Sequence, residues 1–274
     1  MPRHPRAIQK NARTPGDNAL LIAGAAGHIA RSALVAFLIF GAWTKPAAAM
    51  GDVAAEALAV SAFKGDTVAL KRLEGFANHG DATAQDWLGA YDQLTHDATH
   101  AAFWYEKAAK QGNVTAQNNL GTLYANGVGV PKNPRKAAYW YKKAADQGNA
   151  TAQNNLGIQY QEGQGVARNA RVAADWFSKA ANQGNAQAQY NLSVLYAHGD
   201  GRPRSLVISY ALYLLATRPA PTNGPDRAGP SAHASVPGMT EQQVEAAQAL
   251  EQRMRAIGVL KSLAAKDASA EKGN

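Results

Sequence analysis

The 274 residues contain no cysteine. A disulfide framework, a thiol nucleophile and a lipobox are excluded at once. Charge of one sign is also scarce once its position is considered. The whole chain carries a formal +8, but residues 1–49 hold six Lys/Arg and one Asp. The remainder is near +3, so the basic pI comes mostly from the N-terminus and does not argue for nucleic acid. No Gly-rich loop carries the Lys-Ser/Thr of a phosphate-binding loop, and no Ser, His and acidic residues form a recognisable catalytic motif.

The first stretch of sequence that is present in strength is an export signal. Arg3, Arg6, Lys10, Arg13 and Arg31 form a basic region, followed by eleven apolar residues from Ala33 to Trp43. Lys45-Pro46 ends the run and Ala47-Ala48-Ala49 offers a cleavage site before Met50. That length suits a signal segment and falls short of the ~20 residues that span a bilayer. The alternative is an uncleaved inner-membrane anchor that also uses Ala19 to Ala26, interrupted by His28 and Arg31.

Beyond this signal the chain repeats itself. Asn113-Val-Thr-Ala-Gln-Asn-Asn-Leu-Gly121 returns as Asn149-Ala-Thr-Ala-Gln-Asn-Asn-Leu-Gly157 and as Asn185-Ala-Gln-Ala-Gln-Tyr-Asn-Leu-Ser193. The phrase Gln-Gly-Asn at Gln111, Gln147 and Gln183 sets a period of 36 residues. A period in the range of about 20–50 residues marks a solenoid, in which each unit stacks on its neighbours. Each unit reads as two helices. A Gly ends one helix and an Asn or Asp caps the next. Ala116, Leu120 and Tyr124 line one face of the first helix, with Gly121 beside them for close approach. Gly127-Val-Gly-Val130-Pro131 makes a turn, and the second helix starts after Asn133 with Pro134 in first position.

The pattern Ala-x-x-Leu-Gly-x-x-Tyr, then Gly-x-Gly-Val, then Ala-x-x-Trp-Tyr-x-x-Ala-Ala, then Gly-Asn resembles the Sel1-like repeat family, a relative of the tetratricopeptide repeat. Residues 114–149 and 150–185 match throughout. The unit at 82–113 keeps Leu88-Gly89 and Phe103-Trp104-Tyr105 but lacks the Gly-rich turn and is four residues short. The unit at 186–217 has Ser193 for Gly and Leu212 for Trp. The resemblance implies an all-α protein, an α/α superhelical solenoid of helix-turn-helix repeats used mainly for protein–protein contact.

Either side of the repeats the chain changes character. Residues 50–80 read as an N-terminal cap of two helices that covers the first unit. Residues 218–239, with Pro219, Pro221, Pro225, Pro230 and Pro237, read as a linker. Thr240 then opens a C-terminal capping helix over 240–266, with Gln243 completing a capping box. Its apolar stripe is Val244, Ala247, Leu250, Met254, Ile257 and Leu260. A free partner-binding helix has the same spacing and is the alternative. The tail from Asp267 is polar.

Two candidate sites compete with a scaffold reading. His96 and His100 stand four apart, the spacing of a helical zinc pair. Repeat register instead places Asp97 at the N-cap of the second helix, so His96 falls outside the helix and no metal site is expected. The aromatics Trp104, Tyr105, Tyr139, Trp140, Tyr141, Trp176 and Phe177 recur at the repeat period and are expected in the inter-helix core. No cofactor is expected.

Partner contacts are expected on the concave face formed by first helices. Its candidate residues are Trp87, Asn118, Asn119, Asn154, Asn155, Tyr190 and Asn191, with Thr122 and Gln159 nearby. Trp87 and Tyr190, the non-repeating aromatics, are the favoured hot spots. The export signal, the ordinary charge of the remainder and the resemblance together give the expected function: an exported, non-enzymatic scaffold of the bacterial envelope, periplasmic or secreted, that binds protein and not nucleic acid. Membrane contact is expected only through the signal segment if it stays uncleaved. A secreted binder of a host or competitor protein is one alternative. A β-lactam-binding or hydrolysing enzyme is another, disfavoured because the relatives linked to that chemistry are cysteine-rich.

Overall fold

Five times along the chain a glycine with positive φ hands over to an acidic or amide N-cap: Gly65-Asp66, Gly80-Asp81, Gly112-Asn113, Gly148-Asn149 and Gly184-Asn185. In each, the cap's Oδ1 accepts a backbone N–H from the first turn, as from Ala116 to Asn113 at 2.9 Å and from Ala152 to Asn149 at 2.8 Å. A left-handed residue stops one helix and the next begins with an orphan donor already satisfied. The computed structural model describes residues 52–217 and 238–264. Their regular structure is helical, with no strand among the described residues. The signal segment, most of the linker and the polar tail lie outside the described residues.

The chain divides into two compact units at Lys107–Ala108. In the first, α1 (Asp52–Phe63) and α2 (Thr67–Asn78) pack on each other and on α3 (Ala82–Leu94), and α4 (Ala98–Lys110) runs through the boundary. Ala59, Leu73, Ala77, Ala84 and Leu88 form this unit's core, with Phe63, Trp87 and Trp104 packed against it. Only Thr95, His96 and Asp97 separate α3 from α4, where a full repeat uses 127–133. This connector, three residues in place of seven, accounts for the four missing residues. His96 takes φ 67 there, the role glycine has elsewhere.

The second unit holds three helix pairs: α5 (Val114–Asn126) with α6 (Pro134–Asp146), α7 (Ala150–Glu162) with α8 (Ala170–Asn182), and α9 (Ala186–His198) with α10 (Leu206–Thr217). α6 also packs on α7 and α8 on α9, so each pair stacks on the next. The aromatic–glycine contact sets the spacing within a pair. A Cβ on Gly121 would lie 2.7 Å from the Tyr141 ring, and one on Gly157 2.6 Å from Phe177. Ser193 occupies this position in the last pair and has a Cβ, so no ring can seat against it. α10 is rolled accordingly: Leu212 is fully buried, while Tyr213 is 43% exposed and stacks on Tyr210 at 6.3 Å.

α11 (Glu241–Ile257) packs on α10, opened by the capping box of Thr240 and Gln243. Val244, Ala247, Leu250 and Met254 are buried as expected, but Ile257 and Leu260 are exposed. The helix stops at Gly258, whose φ is 90, and the chain turns into a short helical segment at 259–264. That turn brings Val259 and Leu263 into the core instead. A break of phase at one glycine thus replaces the last two residues of the apolar stripe.

One core position is anomalous. Gln159 stands where the neighbouring repeats have Leu123 and Leu195, is 4% exposed, and its Oε1 has no hydrogen-bond partner among the described residues. An unsatisfied buried acceptor costs about 1–3 kcal/mol, and the replacement of Gln by Leu nearly conserves volume. Gln159→Leu is therefore expected to raise the melting temperature, checked by thermal unfolding followed by circular dichroism. A fall would show that the amide has a partner in solution.

Candidate partner-binding surface

The amide side chains of the first helices are bonded along the array. Asn155 Nδ2 donates to Asn118 Oδ1 at 3.1 Å, and Asn191 Nδ2 donates to Asn154 Oδ1 at 3.0 Å, each pair linking adjacent repeats. Asn118 Nδ2 also lies 3.4 Å from Asn119 Oδ1. A deeper row is formed by glutamines. Gln117, Gln153 and Gln189 donate to the carbonyls of Ala109, Ala145 and Ala181, each in the preceding repeat. Gln117 and Gln153 in turn accept from Gln147 and Gln183 at 2.8 Å. Asn154 is 5% exposed and Gln159 is buried, so both present little surface to a ligand. Asn118, Asn119, Asn155 and Asn191 are half-buried. Tyr190, at the repeat position of Asn118 and Asn154, is 42% exposed and the most accessible of these candidates.

Trp87 belongs to the first unit and is half-buried there. Its ring meets Phe63 edge-on at 6.2 Å, and Phe63 stacks on Tyr91 at 5.8 Å. Beside it on α3, Asp86 has a buried Oδ1 with no hydrogen-bond partner among the described residues. Burial pushes its carboxyl up to about 7 from the ordinary 3.8. Asp92, partly buried on the same helix, is pushed up to about 6 by the same cause, opposed by His100. A carboxyl with a raised folded-state pKa binds its proton more tightly when folded. Its stabilisation is complete below 3.8 and is lost as pH rises toward 7. The two central repeats place Asn118 and Asn154 at the equivalent of Asp86. Asp86→Asn is therefore expected to flatten the fall in melting temperature between pH 5 and pH 8, measured in parallel with wild type; an unchanged slope would assign that fall to other groups.

His96 and His100 do not come together on a helical face. His96 lies in the connector, and His100, in the first turn of α4, donates its N–H to Asp97 Oδ1 at 3.0 Å. Its ring Nδ1 is 2.9 Å from Asp97 Oδ2, and these contacts hold the exposed Asp97 carboxyl below its ordinary value. Among the described residues no three His, Cys or acidic side chains cluster as metal ligands.

The second helices differ from expectation in their aromatics. Tyr105, Tyr141, Phe177 and Trp176 are buried, but Tyr139 is 54% exposed and Trp140 is half-buried. Residues 139 and 141 point to opposite sides of a helix and cannot share one core. Tyr139 meets Trp140 edge-on at 5.0 Å, and Lys143 lies over its ring at 5.7 Å. Periodicity counted residue by residue, instead of by repeat, carries that signal.

A family model described as the Sel1 repeat matches residues 82–113, 114–149, 150–185 and 186–218, half of the chain. The chain belongs to the Sel1 repeat family. Sel1 repeat proteins generally mediate protein–protein interaction and are typically non-enzymatic. Similar solved structures include the following two. One is a Sel1 repeat protein from Oxalobacter formigenes, with 30% identity, a TM-score of 0.51, and 61% of this chain matched to 68% of that one. The other is a protective antigen present in uropathogenic Escherichia coli strains, displaying an SLR fold, with 39% identity and a TM-score of 0.52. That match covers 54% of this chain but only 32% of the antigen. Among curated proteins no match to the chain is found. The short connector at 95–97 is where this Sel1 array departs from its own repeat.

Proposed function

We propose that this Sel1 repeat protein is an exported, non-enzymatic scaffold that holds protein partners together in the bacterial cell envelope. The tandem stack of helix pairs carries the reading, because a solenoid exposes a long row of outward side chains whose identities vary between repeats. Export is supported by the basic region, the apolar run Ala33 to Trp43 and the Ala47-Ala48-Ala49 site. No described helix is long and apolar enough to cross a membrane. The similarity to a protective antigen favours a second reading, a secreted binder of a host or competitor protein.

Affinity capture from the native envelope and medium fractions, with full-length protein as bait, tests both readings. A specific envelope protein supports the scaffold; a partner only from host or competitor material supports the second. N-terminal sequencing of native protein is expected to begin at or close to Met50. A chain that retains Arg31 would identify an uncleaved anchor, and purely cytosolic recovery would remove export altogether.

A further inference from the structure

We propose that the outward face of α6 is a docking surface for an acidic segment of a partner protein, one in which carboxylates alternate with apolar side chains. The proposal rests on the protein-binding reading above and names the surface and the partner's chemistry. Arg135, Lys136, Tyr139, Trp140, Lys142 and Lys143 fall within one half of the helix circumference at ~100° per residue. The opposite half holds Ala137, Ala138, Tyr141, Ala144 and Ala145, all buried. Five of the six outward residues are exposed and Trp140 is half-buried. Arg, Tyr and Trp are the residue types that anchor protein interfaces.

Charge decides the occupant. Residues 114–149 carry Lys132, Arg135, Lys136, Lys142 and Lys143 against Asp146 alone, a net +4. Asp146 is engaged by Lys142 at 2.6 Å. The repeat at 150–185 is near balance, +1, with Asp175 held by Arg202 from the following turn. The repeat at 186–217 is also +1. Positive charge is therefore concentrated on one helix of about 20 Å instead of spread along the array. A focal patch fits a short acidic segment, whereas a bilayer would engage charge distributed over a broad face. The partner is a different protein: the net-negative repeat of this chain, 82–113 at −2, has Asp86 buried, Asp92 partly buried and Asp97 held by His100, so it offers no open row of carboxylates. The exposed Tyr139 and the edge of Trp140 supply apolar contact, and the flanking cations supply attraction and orientation.

The test uses the full-length protein and a short fluorescein-labelled peptide of glutamate and leucine, read by anisotropy. The variant Arg135→Gln/Lys136→Gln/Lys143→Gln is expected to weaken binding by about tenfold or more. Arg168→Gln/Arg171→Gln/Lys179→Gln, which removes as many charges from the next repeat, is expected to change it by less than about twofold. Tyr139→Ala is expected to weaken binding without changing the melting temperature, since the side chain is largely exposed. Equal losses in the two triple variants would reduce the patch to general charge attraction and overturn the proposal. So would failure of the peptide to bind, or binding to phosphatidylglycerol vesicles but not to the peptide. Affinity capture that succeeds equally with wild type and the α6 variant would leave the scaffold standing and remove this surface.

Discussion

Gly165→Ala is expected to destabilise the protein far more than Gly148→Ala, although both glycines have positive φ, 74 and 91. At Gly148 an added Cβ meets nothing within 4 Å. That substitution carries only the left-handed backbone cost of about 1–2 kcal/mol. At Gly165 the Cβ would sit 2.2 Å from the Pro134 carbonyl oxygen and 2.6 Å from Arg135 N, so the turn after α7 rests directly on the start of α6. The clash is with backbone, which can move only by separating two repeats. Adding an overpacking cost of about 1–3 kcal/mol to the backbone term gives roughly 2–5 kcal/mol. Chemical denaturation of the two single variants checks the difference. Equal losses would mean that the turn shifts freely and that the seam lies elsewhere.

Leu120→Ala or Leu156→Ala is expected to cost about 2–5 kcal/mol through lost burial and a residual cavity. Both leucines are at most 1% exposed, at matching positions on α5 and α7. Each sits beside the glycine on which an aromatic ring of the paired helix is seated. In a linear array a central lesion weakens both neighbours, so partner binding should fall with stability. His96→Ala and His100→Ala are expected to lower the melting temperature much less, because both side chains are exposed, and EDTA should leave it unchanged. The reverse ranking, with histidine loss or chelation the more damaging, would restore a metal site at the connector.

Local signals in this chain were legible because each is decided within a few residues. Asn113, Asn149 and Asn185 are N-caps, Pro134 opens α6, and Thr240 with Gln243 forms a capping box. The role of Gly121 and Gly157 followed from their place beside a buried stripe. What escaped the sequence depends on the neighbouring element. The second glycine of the turn reads as a bend, yet at Gly165 its use is contact with the preceding repeat. Asn155 and Asn191 read as partner-contact candidates, but each donates to an asparagine on the adjacent repeat. Tyr213 aligns with Phe177 but faces solvent, and the Cβ of Ser193 stands where the glycine before it receives a ring. On the candidate surface, Tyr190 is exposed, whereas the basic face of α6 was hidden by reading its aromatics as a block.

The glutamine row has an evolutionary meaning. Gln117 and Gln153 each reach back to an alanine carbonyl and each receive a glutamine amide from the end of their own repeat. The two junctions are interchangeable in donors, acceptors and chain length. A second copy of residues 114–149 inserted after Asn149 would therefore meet, at both of its ends, partners it already has. Such a junction lets an array lengthen by duplication without a new interface to invent, and the surface side chains are then free to diverge copy by copy.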